Sequence, residues 1–92
     1  MRFKYKRSIK EVDYNMQGFI CFVSRQYKKL PREGQKAIRR LCREAGGEHA
    51  DALFEFVTTD SGAVEVCARF YISESTLERA VRKYYLAFQE TL

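Results

Sequence analysis

The stretch Ala63-Val64-Glu65-Val66-Cys67-Ala68-Arg69-Phe70-Tyr71-Ile72-Ser73-Glu74-Ser75-Thr76-Leu77-Glu78-Arg79-Ala80-Val81-Arg82-Lys83-Tyr84-Tyr85 decides the reading of this chain. It divides into two helical patterns separated by a tight turn. Val66, Cys67 and Phe70 fall on one face of the first pattern. Leu77, Val81, Tyr84 and Phe88 fall on one face of the second, with Ala80 and Tyr85 beside them. Ile72-Ser73 forms the turn. Either Ser73 or Ser75 suits the start of the second helix, and Ser75 with Glu78 fits a capping box.

The same spacing rule extends toward the N-terminus. Val12, Met16, Phe19, Ile20, Val23, Tyr27 and Leu30 step as a continuous helical stripe, which predicts a helix over 9–29. Ser8 and Glu11 match a capping box at its start. Pro31 stops it and suits the entry to the next helix. Ile38, Leu41, Cys42 and Ala45 predict a second helix over 32–45, ended by Gly46-Gly47. Ala50, Leu53, Phe54 and Val57 predict a third over 48–57. Phe19, Val23, Leu41, Leu53, Leu77 and Val81 lie at the centres of these stripes and are the expected core. The fold class is therefore all-α: about five helices in a single domain, 1–92, with a basic arm at 1–8 and a helix-turn-helix over 62–89 whose second helix is extended.

Composition narrows the function. Ninety-two residues with 46% hydrophobic side chains supply one core and not two. Cys21, Cys42 and Cys67 are scattered, odd in number and lack nearby histidine ligands, so they read as reduced, buried thiols with no metal and no cofactor. The basic start has no apolar segment of the signal-peptide kind, and no apolar run spans a membrane, so a cytoplasmic, non-membrane protein is expected. No phosphate-cradling glycine loop, activated nucleophile or paired-carboxylate cleft stands out. The expectation is a non-enzyme without a small-molecule substrate.

Charge is distributed unevenly. Residues 1–43 hold thirteen Lys or Arg against three acids, a net of +10; residues 44–92 hold four against nine, a net of −5. Two sets of cations repeat at i, i+3, i+4 and i+7: Arg25, Lys28, Lys29 and Arg32, then Lys36, Arg39, Arg40 and Arg43. Each is two residues out of phase with its apolar stripe, nearly the opposite helix face. Such ridges grip a phosphate backbone or simply solvate a face.

Residues 63–85 resemble the bacterial helix-turn-helix family, including the DNA-reading segment that ends sigma factors and many small regulators. Cys67 stands at the small packing position, Val66, Phe70 and Ile72 flank the turn, Ser73 caps the second helix, and Leu77, Ala80 and Val81 pack inward. The family often has Gly four residues after the small residue; here it is Tyr71, for which a positive φ costs energy. The resemblance implies double-stranded DNA as partner, with the second helix in the major groove. Ser75, Thr76, Glu78 and Arg79 are the candidate base contacts, Arg79 for guanine and Glu78 for a cytosine amine. Ser73, Arg82 and Lys83 are candidate phosphate contacts, together with the two ridges. Tyr85 and Phe88 are candidates for a homodimer contact. The implied role is a sequence-selective transcriptional regulator or accessory protein of bacterial, phage or mobile-element type. The alternative is a helical adaptor that binds a protein through its acidic half.

Overall fold

Asp13 sets where the first helix begins. Its backbone is extended and its Oδ1 accepts the Met16 N–H at 2.9 Å, capping α1 (Tyr14–Arg25). In this computed structural model, which describes residues 11–92, a 3-10 turn over Tyr27–Lys29 follows. Leu30 is extended, as a residue before proline must be, and Pro31 is the N-cap of α2 (Arg32–Gly46). Gly47, at φ 55°, ends α2, and a 3-10 turn leads into α3 (Ala50–Thr58). α4 (Ala63–Phe70) and α5 (Glu74–Glu90) complete the chain. The described residues are all-helical, with no strand, and measure 30 × 28 × 25 Å. No described helix is long and apolar enough to cross a membrane.

The helix expected over 9–29 is thus corrected. Residues 11–13 are non-helical, the helix ends at Arg25, and the run to Lys29 is a separate 3-10 turn. Ser8 and the arm at 1–8 lie outside the described residues. The turn is tied to α2: the Tyr27 carbonyl accepts the Leu30 N–H at 3.1 Å within the 3-10 turn and also the Gln35 side-chain amide at 3.0 Å.

The core joins Ile20 and Cys21 of α1, Ile38, Leu41 and Cys42 of α2, Leu53, Phe56 and Val57 of α3, and Val66 of α4 to Leu77, Val81, Tyr84, Tyr85 and Phe88 of α5. α2 and α5 make the most extensive helix pair. Four of the six expected core residues, Leu41, Leu53, Leu77 and Val81, are buried, and Val23 is half-buried.

Phe19 is the exception: it is 49% exposed. The face that α1 buries is Gln17, Ile20, Cys21 and Ser24. That is the expected set Met16, Phe19, Ile20, Val23 moved on by one residue, a rotation of about 100°. Two polar residues therefore enter the core, and both are satisfied. Gln17 Nε2 donates to the Val12 carbonyl at 2.9 Å. Ser24 Oγ donates to the Ile20 carbonyl at 2.8 Å and lies 2.6 Å from the Tyr84 hydroxyl. Burial of α5 likewise removes Tyr85 and Phe88 from the surface, so neither is available for the dimer contact assigned to them.

The rotation of α1 has a measurable consequence. Ile20→Ala should cost about 2–5 kcal/mol, because it empties a fully buried site. Phe19→Ala should cost about 1 kcal/mol or less, since half its surface already meets water. Urea unfolding of the two variants decides the register, and equal costs would contradict it. Burial also pushes the Cys42 thiol up to about 12, from an unfolded value near 9. The unfolded chain releases that proton first as pH rises. Stability from this site is therefore complete below about pH 9 and is lost progressively from there toward pH 12, by up to about 1.4 kcal/mol per pH unit. A melting-temperature profile from pH 7 to 11 should fall above 9, and Cys42→Val should flatten part of the fall.

Candidate nucleic-acid interface

The α4–α5 junction is built by a specific hydrogen-bond pattern. Tyr71 follows α4 in the left-handed conformation, φ 57° and ψ 46°, and its N–H donates to the Cys67 carbonyl. The Ile72 N–H donates to the same carbonyl at 3.2 Å, the six-to-one bond of a Schellman end. Ile72 packs against the core beside it. At the other end of α4, Glu65 Oε1 accepts the Gly62 N–H at 3.3 Å. The left-handed residue thus falls four positions after Cys67, where Tyr stands in place of Gly, and its side chain is 94% exposed.

Ser73, not Ser75, caps α5. Its backbone is extended and its Oγ accepts the Thr76 N–H at 3.1 Å. Ser75 lies inside the first turn, 3.2 Å from Ser73 Oγ, so the Ser75–Glu78 capping box does not form. The Ser73 hydroxyl donates to Thr76 Oγ1 at 2.8 Å, and the Arg79 guanidinium reaches the same oxygen at 3.4 Å. This chain leans Arg79 along the first two turns of α5. Ser73, Ser75, Glu78, Arg79, Arg82 and Lys83 are all exposed, and Thr76 is half-buried.

Two of the expected phosphate contacts are occupied by carboxylates. Arg82 pairs with Glu11, whose carbonyl also accepts from the Gln89 side chain at 3.2 Å. Arg25 is mostly buried and pairs with Asp60. Arg25 therefore leaves the first ridge, and that ridge is not one helix face: Lys28 and Lys29 sit on the 3-10 turn and Arg32 opens α2. All three remain exposed at the corner between α1 and α2. Arg69, which the sequence reading did not single out, bridges Glu55 at 2.9 Å and Glu65 at 3.5 Å. Its partner Glu55 is on another helix, so only the packing of α3 on α4 reveals that it is engaged.

The second ridge is intact. Lys36, Arg39, Arg40 and Arg43 are exposed on α2, and none joins an ion pair among the described residues. The same holds for Arg79 and Lys83 on α5. α2 and α5 pack on each other, and on each helix the cations lie nearly opposite the buried residues. No family model, curated protein or solved structure matches the chain.

Tyr71 offers a direct check on the turn. A left-handed conformation costs a non-glycine residue about 1–2 kcal/mol, and this side chain packs on nothing that would offset the loss. Tyr71→Gly should therefore stabilise the protein by up to about 1 kcal/mol, part of the gain being lost to glycine's greater unfolded entropy. Tyr71→Val, β-branched, should destabilise it. Thermal melts of both variants test the geometry, and the opposite order of stabilities would contradict a left-handed Tyr71.

Proposed function

We propose that the protein binds double-stranded DNA, with α4, the Tyr71–Ser73 turn and α5 acting as a helix-turn-helix. The observation that carries this reading is the start of α5. A Ser-capped helix end, with its partial positive charge, presents Ser75, Arg79 and Lys83 outward, and neither cation is held by a carboxylate among the described residues. Arg79 is the reader of sequence: its planar fork pairs with the O6 and N7 edge of guanine. Thr76 positions it, and Glu78 is the acceptor for a neighbouring cytosine amine. Ser75 and Lys83 hold flanking phosphates, and Ser73, whose hydroxyl is committed to Thr76, contributes as the cap of the helix end that meets them.

The α2 face, Lys36, Arg39, Arg40 and Arg43, is a separate source of affinity. It meets phosphates without reading bases. Lys28, Lys29 and Arg32 extend it at the corner before α2. Because this face is carried by a different helix from α5, substitutions can remove grip and readout separately. The role that fits is a small regulator or accessory protein of bacterial, phage or mobile-element type. One observation favours a protein adaptor instead: Phe19 and Phe22, each about half exposed, project from the outer side of α1.

Affinities for a selected and a scrambled duplex at one fixed salt test both halves of this reading. Arg79→Ala should weaken the selected duplex by about 1–3 kcal/mol and reduce the ratio between the two. Replacing Arg39, Arg40 and Arg43 together with Ala should weaken both duplexes, flatten the salt slope by roughly one unit per lost phosphate contact, and leave the ratio nearly unchanged. If Arg79→Ala changes neither duplex, α5 does not enter a groove and the adaptor becomes the better reading.

A further inference from the structure

A shallow groove of about 350 Å³ lies between α2 and the first turn of α3. Its volume is at the lower end of small-molecule sites, about 300–1,000 Å³. One wall is aromatic: Tyr27 and Phe54 pack edge to face, 4.9 Å between ring centroids at 89°. Arg39 approaches from α2, its guanidinium carbon 6.0 Å from the centre of the Tyr27 ring, which orients the fork. Arg43, one helical turn on, lines the same groove, and Asp51 faces it from α3. Cys42 contributes to the buried side. Its raised thiol stays protonated near neutrality, so the site is equipped to bind and not to attack.

The charges in this groove are not paired with opposite charges among the described residues: Arg39, Arg43 and Asp51 line one concavity, yet none forms an ion pair there. Two guanidiniums one turn apart suit a phosphate, which each can meet with two N–H groups. The aromatic wall suits a planar ring. A carboxylate accepts two parallel N–H bonds from a ring edge that offers two adjacent donors. Among the nucleobases guanine alone does so, through N1–H and the N2 amine. Adenine and cytosine set an acceptor beside their amine, and uracil has a single donor between two acceptors.

We propose that this groove binds one guanine nucleotide unit, its phosphate on Arg39 and Arg43, its base against Tyr27 and Phe54, and its donor edge on Asp51. The unit is either a free guanosine monophosphate or the 5′-phosphorylated guanine end of a single strand; the binding chemistry is the same. The proposal does not rest on duplex recognition. Tyr27, Asp51 and Phe54 have no part in that reading, and the test contains no duplex.

The experiment is a titration of the full chain, followed by amide NMR shifts, with guanosine 5′-monophosphate, adenosine 5′-monophosphate and inorganic phosphate. Guanosine monophosphate should move the amides of Tyr27, Arg39, Cys42, Arg43, Asp51 and Phe54. It should bind about tenfold more tightly than the adenosine nucleotide, and phosphate should be weaker than either. Arg43→Ala should weaken both nucleotides. Asp51→Asn should bring guanosine and adenosine nucleotides to equal affinity, with circular dichroism confirming the fold. A 5′-phosphorylated guanine-ended trinucleotide separates the two sources: tighter binding than the free nucleotide identifies a strand end, equal binding a free nucleotide. Equal affinity of the wild type for the two nucleotides overturns the base assignment whether or not the Asp51 variant folds. Phosphate alone giving the same shifts at the same affinity, or no movement of these amides at millimolar guanosine monophosphate, overturns the site.

Discussion

The hydroxyl of Tyr84 constrains the whole arrangement. Tyr84 is fully buried on α5, and a buried phenol needs a hydrogen-bond partner. Ser24 supplies it at 2.6 Å. The proton of Ser24 is already committed to the Ile20 carbonyl, so Tyr84 is the donor and must stay protonated. Burial, the dominant effect on this group, raises its pKa in the same sense. This one bond sets the rotation of α1 about its axis. With Ser24 inward, Gln17 and Cys21 are inward too, and Phe19 and Phe22 turn to solvent. Between that arrangement and one burying a Phe, the folded chain keeps the one that leaves no buried side-chain polar atom unpaired among the described residues.

The same economy explains which charges remain available. Carboxylates from the acidic half are spent locally: Glu55 and Glu65 on Arg69, Asp60 on Arg25, and, from the basic half, Glu11 on Arg82. Apart from the mostly buried Arg25, these groups are partly or largely exposed, and such pairs contribute little stability each. Their larger effect is on the surface field. They neutralise Arg25 at the end of α1, Arg69 on α4 and Arg82 at the middle of α5, and leave the outer face of α2 unneutralised. Among the described residues, the cations left unpaired gather mainly on α2 and the corner before it, with Arg79 and Lys83 a smaller set on α5.

The junction before α5 shows a related trade. A Schellman end places its left-handed residue by backbone hydrogen bonds to the Cys67 carbonyl, and that geometry holds although Tyr is a poor residue for it. The packing of Ile72 and Leu77 on either side of the turn outweighs the conformational cost at Tyr71. The turn is consequently defined by what flanks it and not by its own propensity, and a fully exposed ring is carried there.

Periodicity and punctuation were enough to read the all-helical class, the boundaries of α2 through α5 to within two residues, and the inward set Leu41, Leu53, Leu77 and Val81. Those features arise within single segments, where apolar spacing, Pro31, Gly46-Gly47 and Ser73 act on their own neighbours. The exposed ridge on α2 was legible for the same reason. What only the tertiary structure decided involves partners far apart in sequence. The rotation of α1 depends on Tyr84, sixty residues away. The loss of Arg25 and Arg82 as free cations depends on Asp60 and Glu11. The meeting of Tyr27, Arg39, Asp51 and Phe54 around one groove follows from how α2 and α3 pack. A helical pattern fixes which side of a helix is apolar, but the direction in which that side points, and what it meets there, is set by the other helices.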